Sequence, residues 1–196
     1  MSAVLTPPPA ATVVPGTWKW SRADYYRLGE CGFFRGKRVQ LIRGEIIQMS
    51  PINWPHSSAV VATADALRAA FPAGAWVNVQ STLSLPGGEP EPDAAVIAGR
   101  RQDYADHPTT ALLVVEVSDA TLRYDLTTKA ELYAEAGIAD YWVLDLNARV
   151  LHVLRDPRPV SVGGHSYRSQ AVLGPADGVS PLAVPGATVR VADLLP

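Results

Sequence analysis

Ala111-Leu112-Leu113-Val114-Val115-Glu116-Val117 holds one acidic residue in a run otherwise built of alanine, leucine and valine. Such a run reads as a strand buried on both faces, the kind found in the middle of an α/β sheet. A carboxylate there is costly to bury unless a cation faces it, so Glu116 calls for a metal, a lysine or an arginine. Upstream, Pro92-Asp93 opens an apolar strand through Ala98. Downstream, Lys129 lies in a helix-like segment. Two carboxylates and a lysine gathered on one sheet point to metal-dependent hydrolysis.

The surrounding segments supply the sheet and its cover. Ser21-Arg22-Ala23-Asp24 has the form of a capping box, predicting a short helix through Tyr25, Tyr26 and Leu28 that ends before Gly32. Val39–Ile42 and Glu45–Met49 flank Arg43-Gly44, a tight hairpin. Val60, Ala64, Leu67 and Phe71 recur at helical spacing and predict a helix from His56 to Phe71. Alternation of Val77, Val79, Leu83 and Leu85 with polar residues predicts a half-buried strand over 77–85, antiparallel to the strand 92–98. After the buried strand 112–118, a second long helix is expected, with Asp125 or Thr127 as N-cap and Gly137 just past its end. Tyr141–Asp145 and Val150–Leu154 form a hairpin around Asn147-Ala148. Beyond Pro157, strands near 167–173 and 188–191 read as peripheral additions. The expected fold is α/β: a mixed β-sheet flanked by helices, with extra peripheral strands.

Residues 1–16, with Pro7-Pro8-Pro9, read as a disordered leader, and 17–196 as one domain. The leader lacks the basic start and apolar core of a signal peptide. No run is long enough to span a membrane, and the single cysteine, Cys31, excludes an intrachain disulfide or a cysteine zinc site. These features suit the cytoplasm. A net charge of −2 argues against a general polyanion binder, leaving nucleic-acid binding to local clusters such as Arg35, Lys37, Arg38 and Arg43.

Phosphodiester hydrolysis needs an activated water and neutralisation of charge on phosphorus, both of which Mg²⁺ (or Mn²⁺) supplies when carboxylates from neighbouring strands hold it. Asp93 and Glu116 are the candidate ligands, with the Val117 carbonyl as a further oxygen, and Lys129 is placed to orient or deprotonate water. His56, Asp125 and Glu45 are candidate accessory residues: His56 to cap a helix or orient a phosphate, Asp125 to cap the helix bearing Lys129, Glu45 as a third carboxylate. A Ser-His-Asp hydrolase has no Gly-x-Ser-x-Gly elbow to support it, and the four histidines lack zinc-ligand spacing.

Pro92-Asp93 followed by Glu116-Val117-Ser118 resembles the PD-(D/E)xK nuclease superfamily, the fold of many restriction endonucleases. The standard pattern would place lysine at 118. Ser118 stands there instead, and Lys129 sits where some branches carry a lysine displaced to the following helix. The resemblance is closer to the bacterial Uma-type endonucleases. It rests on Leu41–Ile46, Met49-Ser50-Pro51, His56, Glu91-Pro92-Asp93, Val115–Ser118, Asp125–Lys129, Tyr133–Ile138 and Tyr141–Asp145. Gln40 departs from it, since relatives usually carry an acid there. The resemblance implies a restriction-endonuclease-like sheet and a Mg²⁺-dependent endonuclease with DNA as substrate and Asp93, Glu116 and Lys129 as catalytic residues. The alternative is a degenerate nuclease fold kept as a binding or interaction module. Duplex cleavage takes two cuts, so a homodimer is expected.

Overall fold

A computed structural model describes residues 16–196 apart from Pro72 and Val162. The reading of 1–16 as a leader therefore falls almost wholly outside the described residues. The elements run α1 (Arg22–Glu30), β1 (Val39–Ile42), β2 (Glu45–Gln48), α2 (Trp54–Ala70), β3 (Ala75–Val79), β4 (Gly88–Glu89), β5 (Ala94–Ala98) and β6 (Leu113–Ser118). Then follow α3 (Leu122–Tyr124), a π-helical turn (Asp125–Lys129), α4 (Ala130–Glu135), β7 (Asp140–Asp145), β8 (Val150–Pro159), β9 (His165–Leu173), β10 (Gly178–Val179) and β11 (Val189–Arg190).

Six strands form the central sheet in the order β3-β5-β6-β7-β8-β9. Every neighbouring pair is antiparallel except β6 and β7, which the crossover through α3 and α4 makes parallel. This is the mixed sheet with flanking helices that the sequence predicts. β6 is buried at all six residues. Val115 and Val117 pack on one face with Ala59, Leu67 and Trp142, while Val114 packs on the other with Tyr133, Tyr141 and Ile138. Burial on both faces is why the strand carries no polar alternation.

Three local signals act as the chain suggests. Ser21 and Asp24 form the capping box of α1. Arg43 and Gly44 both adopt positive φ, 50° and 77°, the turn that matches the twist of a two-residue hairpin. Gly137, at φ 73°, closes α4 with paired bonds from Gly137 N–H to the Ala134 carbonyl and from Ile138 N–H to the Tyr133 carbonyl.

Other expectations are corrected. The strand predicted over 77–85 ends at Val79, because Gln80 takes a φ of 45° and redirects the chain. Val77 and Val79 consequently pack against one face of the sheet, and Leu83 and Leu85 into the core on the other. Helix α2 starts two residues early, where the Asn53 side chain accepts the His56 N–H at 3.0 Å and Pro55 fills the first turn. Nor is β9 merely peripheral: it pairs with β8 from Leu151 to Pro159 and becomes the sixth strand.

Candidate active site

Register places the first two site residues. Ala95 lies opposite Val114 across the β5–β6 ladder, and Ala94 opposite Val115. One step further, Asp93 and Glu116 are brought beside each other on the face that carries Ala95 and Val114. Asp93 stands just before β5 begins, so no strand backbone remains there to satisfy β6. Its Oδ2 accepts the Val117 N–H at 2.9 Å, replacing a ladder bond with a charge-assisted one. Gln80 Nε2 donates to Asp93 Oδ1 at 3.2 Å, and His56 Nε2 lies 3.4 Å from Oδ2.

Glu116 is 2% exposed and held from the α4 side. Lys129 Nζ lies 2.9 Å from its Oε2, and the Tyr133 hydroxyl donates to its Oε1 at 2.7 Å. Lys129 also lies 3.2 Å from Asp125 Oδ1, while Thr121 Oγ1 donates to Asp125 Oδ2 at 2.6 Å. Asp125 is thus not the N-cap anticipated from the sequence. It is a buried partner of Lys129, inside a turn that opens from α to π geometry, where Ala130 N–H reaches the Asp125 carbonyl. Such turns are frequent at functional sites.

Asp93, Glu116, Asp125, Lys129 and His56 all line one cavity of about 210 Å³, together with Arg38, Gln40, Glu91 and the Val117 backbone. Its mouth is framed by Met49–Asn53 and by Asp119–Thr121. Glu45 does not line it. Its carboxylate is exposed and pairs with Lys19 at 2.6 Å, because β2 lies on the outer side of the three-stranded sheet β2-β1-β4. Ser118 is buried at the end of β6, with Oγ 3.4 Å from Thr121 Oγ1.

Three carboxylates around one ammonium leave a surplus of negative charge. Burial, with Asp125 and Asp93 nearby, pushes Glu116 up to about 7 despite Lys129. Burial works against a charged Lys129, but Glu116 and Asp125 outweigh it and hold the amine protonated well beyond its ordinary range. Burial likewise opposes ionisation of Asp93, and the His56 hydrogen bond and charge, the Val117 N–H and Lys129 prevail and keep it low. His56 is raised chiefly by its hydrogen bond to Asp93, against burial. Asp93 and Glu116, side by side, are thereby pushed in opposite directions.

Sequence reasoning did not find Gln80, Tyr133 or Thr121 as site residues. Tyr133 was legible only as part of the helix's inward face, although a buried hydroxyl requires a partner. Gln40, read as a departure from the family pattern, points into the cavity. Its Oε1 is buried without a hydrogen-bond partner, as is His56 Nδ1. Among the described residues, no group of three or more His, Cys, Asp and Glu side chains is arranged to hold a metal by itself.

The sheet, its crossover and the carboxylate–lysine cavity at the end of β6 define a restriction-endonuclease-like protein. The crystal structure of a putative nuclease belonging to DUF820 from Anabaena variabilis ATCC 29413 shares the fold, with a TM-score of 0.61 at 14% identity, covering 80% of this chain and 88% of that one. The family model described as Uma2, putative restriction endonuclease, matches residues 22–192, and the chain belongs to that family. No curated protein matches it. No helix among the described residues is long and apolar enough to cross a membrane.

Proposed function

We propose that this protein is a Mg²⁺-dependent endonuclease that hydrolyses phosphodiester bonds of DNA. The observation that supports it is the convergence of Asp93, Glu116 and Lys129 on one cavity from three separate segments of the chain. The donor set suits a hard divalent cation. Asp93 and Glu116 offer carboxylate oxygens, and the Val117 carbonyl faces the same side as the Val117 N–H that bonds Asp93. Two carboxylates and a carbonyl leave coordination positions for water and a phosphate oxygen, as Mg²⁺ prefers. Gln40 Oε1 and His56 Nδ1, both on the cavity lining, are buried polar atoms without a hydrogen-bond partner.

A bound Mg²⁺ would supply a Lewis acid for the phosphate and lower the pKa of a water. The chain's own groups do the rest. Asp93 stays ionised through His56, the Val117 N–H and Lys129, against its burial. Lys129, protonated by its setting, serves as a donor that orients the attacking water and stabilises charge on phosphorus, rather than as a base. Asp125 and Tyr133 hold the Lys129–Glu116 pair in register. The exposed charges of Arg35, Lys37 and Arg123 offer the phosphate backbone contacts, whereas Arg43 is engaged with Glu131 and Glu135. A homodimer and a cytoplasmic setting belong to the same reading, the latter resting on the lone, exposed Cys31.

The test is an assay of supercoiled plasmid, linear duplex, single strands and RNA in Mg²⁺ and in Mn²⁺. DNA cleavage that EDTA abolishes is expected. Binding without cleavage under every condition would leave the fold as an interaction module.

A further inference from the structure

β1 is buried at all four of its residues, and Gln40 is its one polar side chain, 1% exposed. A buried amide has two donor hydrogens and an acceptor oxygen to satisfy, and an acceptor left bare costs its full desolvation. Only one end of Gln40 is engaged. Its Nε2 donates to the Glu91 carbonyl at 3.4 Å, a long bond. A carbonyl can only accept, so this contact sets the orientation of the amide and leaves Oε1 as the free end. Oε1 has no hydrogen-bond partner, and Gln40 lines the cavity together with Asp93 and Glu116. Leucine or methionine would fill the same place in the strand without that cost.

The carboxylates around it already have partners. Asp93 accepts from the Val117 N–H and Gln80, Glu116 from Lys129 and Tyr133, and Asp125 from Thr121 beside Lys129. A divalent cation such as Mg²⁺ keeps several of its waters, and those waters need acceptors. Gln40 Oε1 is an acceptor of that kind, and it carries no charge. The charge count shows why that matters. Asp93, Glu116 and Asp125 against Lys129 leave two negative charges among the deeply buried groups, which one divalent ion cancels. The remaining groups do not add to that surplus in the interior. Glu91 is paired with Arg38 at 3.7 Å, Asp119 is held at the mouth by Asn53 and Asn147, and a protonated His56 would only lower the surplus. A second divalent ion would leave excess positive charge in a buried space, which is costly without one more carboxylate. Glutamate in place of Gln40 would be that carboxylate.

We infer that Gln40 is a metal-positioning residue: its Oε1 accepts a hydrogen bond from water held by the divalent cation, and its lack of charge limits the cavity to one cation per chain. This rests on the metal-dependent nuclease reading and specifies the number and surroundings of the ion.

The full chain, stripped of metal with EDTA and dialysed, would be titrated with Mn²⁺ at pH 8, above the Glu116 value of about 7. Calorimetry gives the affinity, and the electron paramagnetic resonance signal of free Mn²⁺ counts bound ions without any turnover. The wild type should take up one ion per chain. Gln40→Leu should also take up one, bound about 10-fold more weakly, the scale of losing an outer partner of a bound metal. Gln40→Glu, nearly the same size, should bind the first ion more tightly and take up a second. Thermal melts confirm that each variant is folded, and Gln40→Met replaces Gln40→Leu if leucine does not pack. Unchanged affinity in the apolar variant, two ions in the wild type, or a single ion in Gln40→Glu overturns the inference and leaves the nuclease reading intact. A wild type that takes up no Mn²⁺ overturns the inference as well, and if it also fails to cleave in Mg²⁺ and Mn²⁺ the nuclease reading falls with it.

Discussion

Lys129 Nζ sits 2.9 Å from Glu116 Oε2 with both side chains almost wholly buried, though one belongs to the π turn after α3 and the other to β6. On the nuclease reading proposed above, Lys129 would stand in for the lysine that the standard pattern puts at 118, where this chain carries Ser118. Asp125, one turn before Lys129, contacts its amine, and Tyr133, one turn after it, donates to Glu116. The helix therefore brings the amine to the carboxylate already oriented.

Lys129→Ala should reduce the single-turnover cleavage rate by about 10²–10³-fold, the scale of losing one preorganised donor to developing charge. Metal-dependent DNA binding should persist. Lys129→Arg should recover little, since a guanidinium is larger and places its donors differently. Rapid-quench kinetics check the rate, with circular dichroism confirming the fold. Full activity in Lys129→Ala would refute the role.

Millimolar Mg²⁺ or Mn²⁺ should raise the melting temperature in a concentration-dependent way, because a ligand that binds only the native state stabilises it. Asp93→Asn and Glu116→Gln should each abolish that rise. Differential scanning fluorimetry measures it, and a wild-type melting temperature indifferent to both metals would count against Asp93 and Glu116 as ligands.

Without metal, the protein should lose stability as pH rises from 5 to 8. Glu116, raised to about 7 from 4.5, and His56, raised above 6.5, both bind protons more tightly folded than unfolded. Stability from such groups is present at low pH and drains away as pH climbs through their folded values. Asp93, held below its ordinary range, acts oppositely, its contribution being lost only under acid conditions near and below pH 3.8. Glu116→Gln should flatten the decline between pH 5 and 7. Metal affinity should rise with pH up to about 7, one proton leaving Glu116 per ion bound. Urea melts and calorimetry in buffers of different ionisation enthalpy read these two effects.

Tyr133→Phe removes the donor to Glu116 Oε1 and leaves a buried acceptor bare. A loss of about 1–3 kcal/mol is expected by urea denaturation. The same change should shift the pH profile of cleavage upward, since the neutral acid is then favoured. An unmoved profile would show that Tyr133 serves packing alone.

A homodimer at micromolar concentration is expected, with the solvent-exposed Trp18 and the edge strand β9 as candidate surfaces. Sedimentation velocity decides it, and a monomer throughout would rule it out.

Much of this protein was legible along the chain. Apolar runs and their punctuation identified β6, α2, the hairpins and the mixed sheet, because burial imposes period and length locally. Asp93 and Glu116 were readable because a charge inside or beside an apolar run is costly enough to be noticed. What only the tertiary structure decided was which side chains share a space. Gln80 broke an alternating pattern with a single positive φ, and so sent Leu83 and Leu85 to the opposite core from Val77 and Val79. A π turn, invisible to periodicity, made Asp125 a buried partner of Lys129 instead of a cap. Glu45, equally acidic in sequence, was left outside by the placement of β2. Local sequence determines secondary structure through short-range sterics and burial, whereas this site joins His56, Asp93, Glu116 and Lys129 from separate segments of the chain, and register between strands sets which of them meet.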